Sequence, residues 1–175
     1  MTADELARAV GGEAGNELAN ALERINHCLD QLTDEQIWWR PGPDLNSIGN
    51  LILHLCGNVR QWIVAGVGGA ADVRDRPAEF AERGPIPRAD LVRRLQAVVA
   101  EAQAVLAKVT AAELVRVRRI QGMEVSALAA IWNSVPHFRG HTQEIIHRTR
   151  VQLGSAYRFA WAPATPEEGA PITIH

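Results

Sequence analysis

Residues 134–148 read SVPHFRGHTQEIIHR. The run reads as helix, and it holds His137 and His141 four residues apart. On a helix, residues i and i+4 stand one above the other on the same face. Two imidazoles so placed can close on one divalent ion without backbone strain. Glu144 and Arg148 continue that face at i+7 and i+11. The pair alone is a weak motif. With six histidines among 175 residues, an HxxxH pair arises by chance in roughly one chain in five. Two partly buried histidines bonded to carbonyls would give the same pattern. A metal site needs a third ligand, and the best candidate lies upstream: His54, in SIGNLILHL at 47–55.

Working outward from 134, Ser126 is placed to cap a long helix running through Leu153. Pro136 removes one backbone donor inside it and is expected to kink it one turn before His141. Gly154 is a natural terminator. Just upstream, RVRRIQGMEV at 116–125 reads as a small hairpin turning at Gln121-Gly122. Residues 88–109 form a helix with Leu91, Leu95, Val98, Val99, Ala102, Val105 and Leu106 inward. Thr110–Glu113 has the spacing of a capping box before a short helical turn.

The second long helix starts at Asn46 or Ser47 and runs to about Ala65. Leu51, His54, Leu55, Asn58 and Trp62 share one face. His54 therefore points inward, and a buried imidazole needs a partner: a carbonyl, Asn58 or a metal ion. Gly66, Gly68 and Gly69 stop this helix. The first helix spans residues 2 to about 32, with Leu18, Leu22, Ile25, Leu29 and Leu32 at spacings of three and four. Gly11, Gly12 and Gly15 are expected to loosen its start. Thr33–Gln36 is a second capping box, opening a helical turn through Trp39 that Pro41 ends. Trp38 and Trp39 are expected to pack on the bundle. Residues 70–87, with prolines at 77, 85 and 87, are expected to be irregular, apart from a turn that Glu79, Phe80 and Glu82 could form. Four apolar-striped helices joined by loops imply an all-α four-helix bundle with short connecting helical turns. The bundle domain is assigned to 1–162 and a tail to 163–175. Tyr157, Phe159 and Trp161 are expected against the body, and the last ten residues are expected to be mobile.

Composition narrows the function classes. Apolar residues make up 47% and charged residues 22%, with 18 basic and 20 acidic side chains interspersed and a net charge of −2. No Lys/Arg-rich block exists, so nucleic acid is not an expected partner. No apolar run approaches the roughly 20 residues of a membrane span. The start, MTADELARAV, lacks the order of a signal peptide. Two cysteines, Cys28 and Cys56, without framework spacing fit a reduced, cytoplasmic protein. No Ser-His-Asp order, phosphate-cradling loop or dinucleotide fingerprint is present.

Several motifs come in a familiar order. TDEQIWWRP at 33–41, Asn46-Ser47-Ile48-Gly49, His54-Leu55-x-x-Asn58 and His137-x3-His141-x2-Glu144-Ile145 follow one another as in the DinB-like superfamily, which the chain resembles over about residues 15–160. The resemblance implies a four-helix bundle, often a homodimer, with a divalent metal held by three histidines. The matching positions are His54, His137 and His141. One departure is visible: many members carry a Gly-Gln pair soon after the last ligand, where this chain has Gln143 and Glu144.

Three neutral imidazoles leave a divalent ion its full charge and an open position. Such sites accept zinc, nickel, iron or manganese. Bound water can fall to a pKa near 7, from about 15.7 in bulk, and a thiol, free pKa about 8.5, ionises readily. The superfamily includes thiol-dependent S-transferases and a mycothiol-dependent maleylpyruvate isomerase. The resemblance thus implies a transferase in which the metal activates a low-molecular-weight thiol toward a small-molecule electrophile, or a hydrolase. A non-catalytic metal-binding module and a metal-free dimerising helical module are the alternatives. Glu144 is the catalytic candidate: it either supports His141 or accepts a proton, or it is a surface carboxylate paired with Arg148. Asn58 orients a ligand or packs helices. His147 lies about 80° off the His137 face, His27 stands apart beside Cys28, and Cys56 reads as a small core residue.

Overall fold

In the computed structural model, which describes residues 1–160, α1 (Ala3–Leu29) buries a single stripe from Ala7 through Gly11, Leu18, Ala21, Ile25 and Cys28. Thr2 and Glu5 cap it reciprocally. The helix does not loosen at its glycines. Gly11 meets the end of α5 (Arg88–Leu106), where a Cβ would overlap the Leu106 carbonyl oxygen and lie 3.1 Å from its carbon. Close approach of two backbones explains a glycine that costs helix propensity.

A capped turn, α2 (Asp34–Trp38), leads to α3 (Ile48–Val59), which continues as a π-wound segment over Arg60–Val67. Gly68 and Gly69 end it, Gly69 at φ +80. A short helix α4 (Arg76–Ala81) and then α5 follow. After α6 (Ala111–Val115), β1 (Val117–Ile120) pairs antiparallel with β2 (Met123–Ser126) through a turn with positive φ at Gln121 and Gly122. This is the expected hairpin. Thr110 caps α6, but Glu113 turns to Arg116 and Arg118 instead of closing the box. The last long helix, α7 (Ala127–Leu153), starts at Ser126 and runs unbroken through Pro136.

Helix α1 packs on α5 and α7, and α3 packs on the same two. The four long helices thus form a ring with α3 beside α7, and the all-α bundle read from the sequence stands. Its core includes Leu18, Ile25, Leu51, Leu55, Leu91, Leu95, Ile131 and Phe138, each side chain contributing about 1.5–3 kcal/mol by burial.

Three further expectations need correction. Residues 70–87 are not wholly irregular, because Asp75 caps α4 and Pro77 sits in its first turn. Trp38 packs against the core and donates Nε1–H to the Ile86 carbonyl at 3.0 Å, but Trp39 is 44% exposed. Tyr157 lies on the body, whereas Phe159 is 65% exposed, against Tyr157 and Arg150. Trp161, the boundary at 162 and the last ten residues lie outside the described residues. Among the described residues, no helix is long and apolar enough to cross a membrane.

Candidate metal centre

The neighbouring positions of α3 and α7 bring the three histidines together. His54, buried mid-helix on α3, faces His137 and His141 on α7. Ring centroids are 5.1 Å apart for His54 and His137, 5.2 Å for His54 and His141, and 4.5 Å for His137 and His141. Each offers a ring nitrogen within 4.8 Å of the other two.

Two of the rings are held from behind. Nδ1 of His54 lies 3.0 Å from Glu79 Oε2, and Nδ1 of His141 lies 2.9 Å from Glu144 Oε2. A carboxylate only accepts, so Glu144 assigns the ring proton of His141 to Nδ1 and leaves Nε2 as a lone pair. Nδ1 of His54 also stands 3.1 Å from Arg74 Nη2, but that group donates to Glu79 at 2.9 Å, and the carboxylate sets the same tautomer. Each carboxylate is gripped in turn by an arginine. Arg74 donates to Glu79 through Nε at 2.7 Å and Nη2 at 2.9 Å. Arg148 donates to Glu144 Oε1 through Nε at 3.0 Å and Nη2 at 2.6 Å, and also reaches the Asn46 carbonyl. Burial alone would raise both carboxyl pKa values. The hydrogen bonds and charges of the arginine and histidine partners outweigh it, and both sit below the ordinary range. His137 makes no hydrogen bond among the described residues except through its Nε2, 2.9 Å from Nε2 of His54. Burial, reinforced by His141, His54, Arg74 and Arg76, pushes its pKa down to about 4, so it is neutral at neutral pH.

The sequence motifs reappear here as a lock. Asn50 Oδ1 accepts from Ser47 Oγ at 2.7 Å and Arg40 Nη2 at 2.6 Å. Its Nδ2 donates to the carbonyls of Glu79 at 2.9 Å and Glu82 at 3.0 Å. The tryptophan-arginine-proline and asparagine-serine-isoleucine stretches therefore clamp α4 against α3. Gly57 completes the fit, since a Cβ there would overlap Glu79 Oε1. Glu79, Arg74, Asn50 and Gly57 were not among the sequence candidates. The available signal was the Asp75 cap with Pro77 behind it, which marks a helical start within residues 70–87.

The donor set fits a divalent ion. Nitrogens about 2.1 Å from a shared ion stand about 3.0–3.4 Å apart for angles of 90–109°, close to the 2.9 Å between His54 and His137. Two Nε2 lone pairs cannot face each other at that distance without a proton or cation between them. The carboxylates on the far nitrogens are the usual supports of ligating imidazoles. The cluster is compatible with a divalent metal.

Other candidates resolve differently. Asn58 Oδ1 accepts from Ser134 Oγ at 2.9 Å in a buried bridge between α3 and α7. His27 is satisfied by the Arg158 carbonyl at 2.6 Å, and His147 is exposed. The Cys56 thiol is pushed up to about 12 by burial, which makes it a poor nucleophile.

A four-helix bundle with three histidines converging from its second and last long helices is what the DinB-like resemblance implies. Solved structures agree. The chain is similar to a conserved protein from Enterococcus faecalis (18% identity, TM-score 0.69, covering 81% of this chain and 95% of that one). DinB-like proteins from Bacillus subtilis (15%, TM-score 0.63, covering 84% and 96%) and Bacillus cereus (17%, TM-score 0.59, covering 75% and 85%) are similar as well. At these identities the likeness shows the fold alone. No curated protein matches. More narrowly, residues 16–145 match the model of the mycothiol-S-transferase family, and the chain belongs to that family.

Proposed function

We propose that the protein is a metal-dependent thiol S-transferase in which His54, His137 and His141 hold one divalent ion. The observation that carries this reading is the convergence of three imidazoles, two with their outer N–H groups tied to arginine-gripped carboxylates, in a chain of the mycothiol-S-transferase family. When bound, a divalent ion among neutral imidazoles lowers the pKa of a coordinated thiol.

The chain's own residues supply the rest. Glu79 and Glu144 hold the Nδ1 protons of His54 and His141 and so fix which nitrogens face the centre. Both Glu144 oxygens are engaged, which favours support of His141 over proton acceptance. Phe80 packs its ring 4.9 Å from that of His54. The homodimer implied by the superfamily resemblance belongs to the same proposal and is read by light scattering of the purified chain.

The test is a screen of low-molecular-weight thiols, mycothiol included, against small electrophiles, with protein purified without chelator or affinity tag. Metal-dependent thiol consumption supports the reading. Stoichiometric metal with no thiol turnover would leave a metal-binding module instead.

A further inference from the structure

Two arginines flank the histidine cluster from the 74–81 segment, and they are used differently. The Arg74 side chain, only 3% exposed, spends its donors on Glu79 and Gln61, with Nη2 also 3.1 Å from Nδ1 of His54. Arg76 is exposed and, among the described residues, makes no ion pair and no hydrogen bond. Its guanidinium lies over the Phe80 ring, 5.0 Å from the centroid. That ring in turn packs 4.9 Å from the ring of His54. The stack places an unpaired cation at most about 10 Å from the His54 ring, at the rim of the cluster.

A guanidinium held over an aromatic face keeps its donor edge open, and its planar fork matches a carboxylate. The charged side chains hydrogen-bonded to the cluster are committed elsewhere as well: Glu79 to Arg74 and Glu144 to Arg148. We infer that Arg76 is a specificity-determining residue that binds a carboxylate of the small molecule handled at the three-histidine site. This rests on the metal-dependent reading above and adds the substrate class: a carboxylate-bearing molecule short enough to span from Arg76 to the cluster. The carboxylate belongs either to the thiol or to its acceptor.

The test uses cobalt-loaded protein, with cobalt content measured first, and calorimetric titration of three probes: mercaptosuccinate, 2-mercaptoethanol and succinate. Should the carboxylate reside on the thiol, mercaptosuccinate binds about tenfold or more tightly than 2-mercaptoethanol. Should it reside on the acceptor, succinate binds in the presence of 2-mercaptoethanol. In either case Arg76→Ala removes the gain and Arg76→Lys keeps part of it, with cobalt content unchanged. Identical affinities in wild type and Arg76→Ala, or no carboxylate preference in cobalt-loaded wild type, overturn the inference and leave the metal site standing. Absence of cobalt from the wild type overturns the metal reading, and this inference with it.

Discussion

Gly57 and Glu79 occupy one space: a Cβ on Gly57 would overlap Glu79 Oε1 and lie 2.8 Å from its carboxyl carbon. The glycine on α3 is therefore what lets the carboxylate reach His54 on the same helix. Gly57→Ala raises helix propensity by about 0.5–1 kcal/mol, so any loss it causes comes from displacing Glu79 and the Arg74 guanidinium that grips it. Metal affinity is expected to fall about 10–100-fold, measured by competition with a chromogenic chelator, with helix content unchanged by circular dichroism. Unaltered affinity would show that Glu79 does not support the site.

Arg74→Met leaves Glu79, 9% exposed, without its main partner. Breaking a buried pair from one side costs about 3–5 kcal/mol, read by urea unfolding at pH 7. Adding Glu79→Gln should recover much of that loss, since no uncompensated charge remains. A native Glu79 pKa below the ordinary carboxylate value contributes stability above the unfolded value of 4.5, and loses it as pH falls through the native one. The single variant should lack that acid-side dependence.

His137 shifts in the same direction for a different cause, burial that penalises its charged form. Its pKa is about 4 in the fold against 6.5 for the free group. Between those values the unfolded chain binds more protons at this site, so the stability of metal-free protein rises with pH across that window. His137→Asn should flatten the rise, as measured by thermal unfolding in chelator from pH 4 to 7. An equally steep rise in the variant would assign it elsewhere.

Gly11→Ala tests the α1–α5 contact. The added methyl meets the backbone at Leu106 rather than a movable side chain. Overpacking of this kind costs about 1–3 kcal/mol, more than the helix propensity gained. A stabilised variant would mean that the helices separate freely there.

The bundle was legible because apolar spacing on α1, α3, α5 and α7 carries the core directly, and capping residues mark the starts. Spacing joined His137 to His141, and the inward face of the second long helix offered His54 as the third candidate; the order of surrounding motifs tied the three into one set. Glu79 and Arg74 were hidden for a physical reason. Their placement depends on tertiary hydrogen bonds from Asn50 and Arg40 to α4, and α4, at six residues, is too short for periodicity to declare. The role of Gly11 was misread because propensity counts the cost of a glycine and not the close approach it permits.

Metal stoichiometry tests the shared-ion geometry most directly: elemental analysis of tag-free, chelator-free wild type beside His54→Ala, His141→Ala and His137→Ala. About one divalent ion per chain is expected in the wild type, with near-complete loss in the first two variants. His137→Ala, whose ring has no carboxylate behind it, is expected to show weakened retention. Equal metal content in all four proteins would contradict the assignment of these three imidazoles to one ion.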